Sequence, residues 1–517
     1  MKKIVTIAFA VLTLSACTNL DEQLYSQISK DEFMKHDEVI AQYTSRPYTK
    51  LQNWGEEQSY WTLVLQIGNE MAVPKSWDKS WGEERYVELQ THNITSSNKL
   101  VGTGWDFCFN GIAACNDAIF ELQKLEQTDA VKRNIAECKI LRVYYYLMAV
   151  DLWGKVPFSI DKAQTALPEV KSRADMYTWM VQEVKDNIAA LEDQVSSKTY
   201  GRVTQDVAHF LLAKLYLNSK VYTGTERWAD AAAECKTIMD GGHFHLTATY
   251  AQNFAIHNEG STEAILAIPY STTYTSHTFY PFVLTLNSDL LPLYNISAGT
   301  WNGTHMGQPD FMARYDAADT RKADTWLFGD IYDLNGQRWT IVTGVDADGK
   351  NIEEDYSLVD TPIDEDHFRK GLDRMEGARI IKWPYQTDGS LTSYSVDMEN
   401  DFILMRYADV VLMYVECLIR QDKVADAAAV QEFKDIRTRA GLAPIAAADL
   451  TLDSFFEERQ KEMALEGWVH NDLVRFDKYL EAWWAKPADT VPGHILLPIP
   501  EDKRSANPNL DPQNEGY

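Results

Sequence analysis

The sequence FILMRYADVVLMYVECLIR, residues 402–420, decides our interpretation of the whole chain. Its apolar residues recur at spacings of three and four, which places Leu404 and Val411 on one face of a helix. The opposite face is apolar too, so the pattern predicts one long helix packed on both sides within a helical array. Arg406 and Asp409 interrupt this helix three residues apart, and because a lone buried charge is costly we predict that they pair with each other.

Length and composition limit the class of protein. The chain has 517 residues, of which 45% are hydrophobic and 24% charged, a composition typical of folded proteins. A chain of this length is longer than a single hydrophobic core usually holds, although a repeat architecture can extend one domain beyond that limit. The formal net charge of -27 argues against nucleic acid or an anionic lipid surface as a ligand, because both would be repelled. A neutral ligand fits better, and the 15 Trp and 26 Tyr residues fit a sugar, whose ring faces stack on aromatic side chains.

The N-terminus predicts export and lipidation. Residues 1–17, MKKIVTIAFAVLTLSAC, have a basic start and an apolar stretch too short to span a bilayer as a mature helix, which is typical of a signal peptide. The sequence Leu-Ser-Ala-Cys that ends at Cys17 resembles a bacterial lipobox, in which the signal is cut before the cysteine and the cysteine is lipidated. Asp21 and Glu22 resemble the acidic export tag of surface lipoproteins. No later stretch is long and apolar enough for a membrane span, so we expect the lipid to be the only anchor.

The other cysteines, and the histidines, do not favour a cofactor or a metal. The remaining cysteines are Cys108, Cys115, Cys138, Cys235 and Cys417. Their odd number and apolar contexts predict buried thiols and not a disulfide framework. His243 and His245 would share a strand face, where a metal site is the alternative to an exposed strand edge. We therefore predict no metal and no cofactor.

An acidic cluster leaves calcium open as an alternative. The cluster consists of Asp346, Asp348, Glu353, Glu354 and Asp355. Its Asp-x-Asp-Gly spacing lacks the rest of an EF-hand loop, so a solvated acidic hairpin is the other interpretation.

Helical patterns occupy both ends of the chain and disappear in the middle. Residues 136–153 form a second two-faced helix, and Gly154 and Pro157 stop it. Helices predicted at 107–125, 172–191, 204–222 and 227–239, with tight turns and small contact residues, favour tetratricopeptide-like hairpins. Thr204 is the expected N-cap of the third of these helices, and a further helix is predicted at 452–476. Between residues 253 and 399 the helical pattern gives way to a short predicted strand at 261–270 and to the turn dipeptides Asn335-Gly336, Asp348-Gly349 and Asp388-Gly389. This pattern predicts an irregular insertion with hairpins.

Aromatic residues in irregular segments are the candidate ligand contacts. Residues 58–86 are predicted to be irregular and retain Trp77 and Trp81, which loops rarely keep without a reason. Trp301 and Asn302 lie next to Gly303 on a second predicted loop, while Trp105 and Asn110 lie at the start of a predicted helix. For each of these residues, packing in the core is the alternative.

Several motifs, in order along the chain, resemble one family. The stretch Arg-Tyr-Ala-Asp-Val followed by Leu-Met-Tyr-x-Glu in residues 402–420 resembles the signature helix of the SusD/RagB family, nutrient-binding lipoproteins of the outer membrane of Bacteroidota-type bacteria. Further matching positions are Gly154 to Pro157, Trp301 to Gly303, Tyr315, Asp319, Arg321, Glu458, Glu462, Glu466, Gly467, Asp472, Leu473 and Arg475. The chain departs from the family pattern at Val143, Val469 and Phe476. The charged signature residues have the spacing of a structural network, so these departures bear little on ligand binding.

The resemblance implies a mainly α fold, a SusD-like tetratricopeptide-type scaffold of helical hairpins with an irregular, hairpin-containing insertion. It divides the chain into residues 1–17 as the signal peptide, 18–252 as the N-terminal helical part, 253–399 as the insertion that contributes to the ligand site, and 400–517 as the C-terminal helical part. It also implies the function, which is capture of an oligosaccharide and its delivery to a SusC-like TonB-dependent transporter, with binding and no catalysis.

Two other classes of protein stay open on the residues alone. A lipid-anchored glycoside hydrolase needs only two carboxylates, and the chain has 76 acidic residues. A tetratricopeptide-type envelope scaffold would need no sugar ligand. No nucleophile elbow, P-loop, dinucleotide fingerprint or zincin helix is present in the sequence.

Overall fold

The computed structural model describes residues 37–56, 59–72, 84–275, 285, 289–296, 305–355, 357–358, 377–387 and 398–517. The helices are α1 (Asp37–Leu51), α2 (Tyr60–Gln66), α3 (Glu84–Gln90), α4 (Lys99–Leu122), α5 (Asp129–Trp153), α6 (Arg173–Asn187), α7 (Gln205–Leu217), α8 (Ser219–Thr223), α9 (Trp228–Gly241), α10 (Pro309–Met312), α11 (Thr320–Thr325), α12 (Tyr407–Arg420), α13 (Val424–Ala429), α14 (Gln431–Arg439), α15 (Leu452–Glu462), α16 (Val469–Arg475) and α17 (Glu501–Ala506).

The strands are short and pair two by two. They are β1 (Met71–Ala72), β2 (Val156–Phe158), β3 (Glu169–Lys171), β4 (Ala264–Ile268), β5 (Met306–Gly307), β6 (Trp326–Leu327), β7 (Gly329–Asp330), β8 (Thr340–Val345), β9 (Asn351–Asp355), β10 (Ser357–Leu358), β11 (Arg379–Ile380) and β12 (Phe402–Arg406). The antiparallel pairs are β1 with β5, β2 with β3, β4 with β12, β6 with β11, β7 with β10 and β8 with β9.

Side-chain caps start the long helices at defined residues. Asn98 accepts a hydrogen bond from Leu100 N (3.0 Å) at the start of α4, and Thr128 accepts one from Val131 N (3.3 Å) before α5. Helix α5 therefore begins seven residues earlier than the predicted start at residue 136 (136 − 129 = 7). Gly154 ends α5 with a φ of 70°, which a side chain would disfavour. Thr204 precedes α7 as predicted, but its side chain makes no capping hydrogen bond.

Successive helices pack side by side into one array. Helix α4 packs on α1 and α5, α6 lies between α5 and α7, and α9 joins α7 to α12. At the contact of α4 with α5, a Cβ on Gly111 would overlap the ring of Tyr145, so glycine allows the two helices to approach closely. Most of the described core forms one cluster that includes Trp61, Trp153 and Tyr145, and a smaller cluster between α4 and α5 includes Ile119 and Val131. This array confirms the predicted mainly α fold.

Two predicted helices are each divided in the structure. Residues 402–420 form strand β12 and helix α12, because the first five residues pair with β4 and only Tyr407 onward is helical. The segment predicted as one helix at 452–476 is α15 and α16, separated at Leu465 (φ 66°) and Gly467 (φ 87°). A Cβ on Gly467 would lie 2.7 Å from Trp54, so both the backbone and the packing need glycine there.

The prediction that residues 58–86 are irregular is also partly wrong. Residues 60–66 form α2, which Ser59 caps, and Trp61 in this helix is completely buried. The indole N–H of Trp61 donates to the Leu465 carbonyl at 2.8 Å, so this tryptophan belongs to the core. The prediction failed because a seven-residue helix that is buried on every side shows no periodicity.

A predicted strand and a predicted turn are both present in the insertion. The strand predicted at 261–270 is present as β4, and the turn at Asp348-Gly349 closes the β8–β9 hairpin. Asp346 accepts hydrogen bonds from the backbone N–H groups of Asp348 and Lys350, each at 2.9 Å, so its carboxylate stabilises this turn. His243 and His245 are not in a strand, and His243 Nδ1 lies 2.8 Å from Asp206 Oδ2.

The five described cysteines have the buried environment that the sequence predicts. All five described cysteines are free and buried, as predicted, and they are Cys108, Cys115, Cys138, Cys235 and Cys417. Among the described residues, no helix meets the length and hydropathy that a bilayer span requires. No group of three or more His, Cys, Asp or Glu side chains is arranged for a metal ion in the described parts of the chain. The Asp388-Gly389 turn, Cys17, and the signal peptide all lie outside the described residues.

Candidate functional site

Strands β1 and β5 bring two distant parts of the chain together, and we call this pair the clasp. Met71 pairs with Gly307 and Ala72 pairs with Met306. Trp77 follows Ala72 by five residues (77 − 72), and Trp301 precedes Met306 by five (306 − 301). The segments that carry Trp77, Trp81, Trp301 and Asn302 therefore start from neighbouring strands, although these four residues themselves lie outside the described residues.

A third segment reaches the clasp from the insertion. Gly307 N donates to the Ala378 carbonyl at 2.9 Å, which places the residues before β11 beside β5. Gly377 has a φ of 76°, and a Cβ there would overlap the side chain of Met306. The clasp therefore joins three parts of the chain, which are the residues around β1, the residues around β5 and the residues just before β11.

Buried polar groups form the floor beneath the clasp. The Glu70 carbonyl accepts a hydrogen bond from Gln308 N (2.9 Å), and the Glu70 carboxyl accepts one from Leu465 N (2.9 Å). Asn69 and Gln460 exchange two amide hydrogen bonds of 3.3 and 3.1 Å. These contacts connect the residues just before β1 to β5 and to the segment that contains α15. They hold the clasp in a fixed position on the helical array.

The environment of Glu70 favours the protonated form of its carboxyl group. Burial raises the pKa of its carboxyl to about 8, although the Leu465 N–H and the charge of Lys382 act in the opposite direction. An ionised carboxylate would lose most of its hydration here, and one backbone N–H does not replace it.

A histidine and a tyrosine beside the clasp were missed by sequence reasoning. His305 immediately precedes β5, Tyr86 lies in α3, and their rings meet edge to face with centroids 4.8 Å apart. Both are buried, with relative exposures of 1% and 5%. The position of His305 two residues after Trp301-Asn302-Gly303 was a usable signal (305 − 303 = 2), whereas the contact with Tyr86 was not visible in the sequence.

The signature carboxylates form an ionic network behind this floor. Glu462 accepts hydrogen bonds from Arg406 (2.8 Å), Arg439 (2.6 Å) and Arg321 (3.0 Å). Burial disfavours the charge of Glu462, but these three guanidinium groups outweigh it and hold its pKa well below the usual range. Glu466 binds Lys382 at 2.7 Å in the same network. This confirms the predicted structural role of the signature.

The predicted pair of Arg406 and Asp409 is wrong. Arg406 ends β12 and binds Glu263, Glu462 and Glu466. Asp409 lies in the first turn of α12 and binds Lys214 (2.9 Å) and Arg459 (2.7 Å). The two side chains diverge because the strand ends between them, so the three-residue helical spacing does not apply.

These partners limit what the signature can do chemically. Glu458 binds Arg321 (2.8 Å) and Arg437, while Glu462 and Glu466 both bind Arg406. Each of the three carboxylates is at most 3% exposed. A glycoside hydrolase needs two carboxyl groups at the substrate, and these three are committed to cations inside the core.

Trp105 and Asn110, the two predicted contacts on α4, point in different directions. Five residues on a helix correspond to a rotation of about 140°, so the two side chains do not share a face. Trp105 is 4% exposed, stacks on Phe109 (centroids 4.6 Å apart) and meets Trp153 edge to face at 5.2 Å. This packing places the Trp105 ring in the core, which is the alternative stated for it, and its role as a ligand contact stays a prediction.

Asn110 lies in a groove of about 910 Å³ formed by α1, α4 and residues 159–164. Its side chain is exposed, and the groove shares no lining residue with the clasp. Its role as a ligand contact stays a prediction, at a position that the structure does not bring to the clasp.

Comparison with known proteins covers most of the chain. A family model described as the SusD family matches residues 241–517, which is more than half of the chain, and a model described as starch-binding, associating with outer membrane, matches residues 19–217. The two matches lie on either side of residues 218–240 and together include the segments of the clasp.

Relatives of known function and of known structure agree with these matches. The starch-binding protein SusD of Bacteroides thetaiotaomicron is 26% identical over 481 residues, which cover 85% of this chain and 82% of that protein. Surface glycan-binding protein A from Bacteroides thetaiotaomicron, solved in complex with laminarihexaose, superposes with a TM-score of 0.73 at 20% identity over 92% of this chain and 99% of its own. Surface glycan-binding protein A from Bacteroides uniformis gives a TM-score of 0.72 at 19% identity, over 93% and 99% of the two chains. These structures share the tetratricopeptide-type helical scaffold, so the predicted fold class is confirmed.

Proposed function

This chain belongs to the SusD family, and from that premise we propose that it is a surface lipoprotein that binds an oligosaccharide nutrient and delivers it to a SusC-like TonB-dependent transporter. The observation that carries the proposal is the clasp, because β1 and β5 join the two segments in which the sequence predicts loops with aromatic and amide residues. We assign the ligand site to Trp77, Trp81, Trp301 and Asn302 on these segments.

The chemistry of these residues suits a carbohydrate. Tryptophan rings stack on the apolar faces of sugar rings, and an asparagine amide can both donate to and accept from hydroxyl groups. A site of this kind, on loops joined to a rigid scaffold, gives weak binding, on the order of micromolar to millimolar, or about -4 to -8 kcal/mol. Weak binding allows the ligand to pass on to a transporter.

The charge of the protein favours a neutral glycan. Formal net charge is -27, and removal of Lys2 and Lys3 with the signal peptide makes it -29 (-27 − 2). An acidic polysaccharide would be repelled by this field over a distance of about one Debye length, roughly 8 Å at physiological salt. Support for a glucan comes from the starch-binding relative and from the relative solved with laminarihexaose.

Isothermal titration calorimetry with the soluble mature chain, starting at Thr18, tests this proposal. The panel contains maltohexaose, laminarihexaose and acidic plant and host oligosaccharides. We expect saturable heat with a neutral glucan, and heat that does not return to baseline would instead show turnover and favour the hydrolase. A panel in which no oligosaccharide produces saturable heat contradicts the proposal.

Trp301→Ala tests the position of the site. We expect affinity to fall by about tenfold or more, because one aromatic stack is lost, while the unfolding midpoint stays unchanged. The matched control is Trp179→Ala, which removes a half-buried tryptophan of α6, far from both segments in sequence. Unchanged affinity in Trp301→Ala would remove Trp301 from the site.

The membrane anchor and the transporter partner need a separate experiment. We expect the wild-type protein to co-purify from outer membranes with a TonB-dependent transporter, and Cys17→Ala to shift the protein into the soluble fraction. Recovery of envelope assembly proteins without a transporter would favour the scaffold alternative.

A further inference from the structure

A second cavity, of about 440 Å³, lies among α7, α8, α9, α12 and α16, and its volume is within the range of small-molecule sites. It shares no lining residue with the clasp, so a ligand site in this cavity does not depend on the proposed function. Three basic residues, Lys220, Arg420 and Arg475, and one acidic residue, Asp477, line it. In a chain with 49 basic and 76 acidic residues, this cavity has the opposite charge balance.

A row of buried ion pairs leads to this cavity. The row alternates in charge and runs Lys214–Asp409–Arg459–Asp472–Arg475–Glu416–Arg420, with successive N–O distances of 2.9, 2.7, 2.8, 2.6, 2.8 and 2.8 Å. Both ends of the row are cations, so its four cations exceed its three carboxylates by one charge (4 − 3 = 1). Because Lys214 is fully buried against Trp468, the end that reaches a cavity is Arg420.

Arg420 keeps part of its hydrogen-bonding capacity for a ligand. Its Nε donates to Glu416 at 2.8 Å, and its Nη2 donates to the Arg475 carbonyl at 3.3 Å. Among the described residues, no acceptor is bonded to Arg420 Nη1. By contrast, Arg475 donates to Glu416, Asp472, Asn218 and Asn471, so its role is structural.

The remaining wall is apolar and aromatic. Trp228 is half-buried, and the Arg420 guanidinium carbon and the Lys220 ammonium lie 5.6 and 5.5 Å from its ring centroid. Tyr479 also lines the cavity, is 1% exposed, and has a buried hydroxyl with no hydrogen-bond partner among the described residues. A buried polar atom in this state is costly.

We propose that this cavity binds a small organic carboxylate. The carboxylate pairs with Arg420 Nη1 and Lys220, and the ring or aliphatic body of the ligand packs against Trp228. Arg420 ends a row of ion pairs that carries one excess positive charge, and guanidinium and carboxylate groups have matching planar geometry. Lys220 also binds Glu226 at 2.9 Å, so a ligand would share its ammonium group with that carboxylate. An acidic sugar and an aromatic acid share this chemistry.

Ligand-observed NMR titration of the soluble mature chain tests the proposal with glucuronate, benzoate and glucose as probes. We expect saturable binding of glucuronate, benzoate or both, which weakens as salt is added, and no binding of glucose at the same concentrations. Binding of glucuronate alone assigns an acidic sugar, and binding of benzoate alone assigns an aromatic acid. Equal binding of glucose, or no binding of either acid, overturns the proposal.

Two surface variants should move the affinity in opposite directions. Lys220→Gln removes an attractive charge, and we expect it to weaken binding by about threefold to tenfold. Asp477→Asn removes a repulsive charge and should strengthen binding by a similar factor. Asparagine also tolerates the left-handed backbone of Asp477, whose φ is 58°.

A matched control excludes a general charge effect. Lys236 of α9 and Lys220 have the same side-chain exposure, 58%. Each binds one carboxylate, which is Asp240 for Lys236 and Glu226 for Lys220, but Lys236 does not line the cavity. Lys236→Gln should leave the affinity unchanged. Circular dichroism confirms that each variant is folded, and equal affinity in Lys220→Gln, Asp477→Asn and wild type overturns the proposal.

Discussion

The carboxylates of the signature and the carboxyl of Glu70 are buried in the same core, yet their pKa values are shifted in opposite directions. Glu462 and Glu416 each lie between guanidinium groups, and their pKa values are lowered, that of Glu416 to about 2. Glu70 has one backbone N–H partner, and its pKa is raised to about 8. Burial alone therefore does not decide the charge of a carboxyl group. The number of cations in contact does, and this number distinguishes the ionic network from the polar residues beneath the clasp.

The largest effect should come from breaking the network. Glu462→Ala removes the shared partner of Arg321, Arg406 and Arg439 and leaves buried positive charge, which costs about 3–5 kcal/mol. The control is Glu457→Ala on the same helix, because Glu457 is 44% exposed and its pair with Arg314 should contribute less than about 1 kcal/mol. Urea unfolding measures both, and equal losses would show that the network contributes no more than a surface pair.

The acid dependence of Glu416 sharpens the comparison. Its folded pKa of about 2 lies below the ordinary 4.5, so its contribution is present above pH 4.5 and is lost as the pH falls from 4.5 towards 2. The difference corresponds to about 3 kcal/mol. We expect Glu416→Gln to be less stable than wild type at neutral pH by about this amount, and the gap to shrink across that window. A gap that does not change with pH would contradict the ion-pair explanation.

The contribution of Glu70 to stability should change with pH in the opposite direction. Its folded pKa of about 8 lies above the ordinary 4.5, so wild-type stability falls as the pH rises between these values, because only the unfolded state releases the proton. Glu70→Gln removes this titration and keeps an acceptor for Leu465 N. Between about pH 5.5 and about pH 7, the variant should gain about 2 kcal/mol relative to wild type. Parallel stability curves for the two proteins would show that Glu70 is ionised in the fold.

The smallest effect should come from Asn110→Ala. Asn110 is exposed on α4, so the free energy of unfolding should change by less than about 0.5 kcal/mol. If Asn110 contacts the glycan, one hydrogen bond is lost and affinity should fall by no more than about fivefold, less than in Trp301→Ala. Calorimetry with the glucan that binds wild type most tightly measures the affinity of the variant. An unchanged affinity would restrict the site to the clasp segments.

Much of the helical array could be predicted from the sequence, because amphipathic periodicity and capping residues act locally. Helix α5 and its stop at Gly154, and the β8–β9 turn at Asp348-Gly349, depend on residues close in the chain. Errors occurred where distant parts of the chain decide the local structure. Residues 402–406 are apolar enough for a helix, but pairing with β4 makes them a strand. Trp61 lies in a segment predicted to be irregular, whereas α2 is buried on all sides.

The sequence by itself determined the family, the mainly α architecture, the buried cysteines and the structural nature of the signature carboxylates, since these depend on composition, spacing and motif order. Only the tertiary structure decided which charges pair, because a salt bridge requires two side chains to meet in space, and Arg406 meets Glu462 and not Asp409. It also decided that β1 and β5 lie side by side, and that Trp105 belongs to the core. Contacts between residues far apart in the chain depend on how all the elements pack together, and no local pattern in the sequence records them.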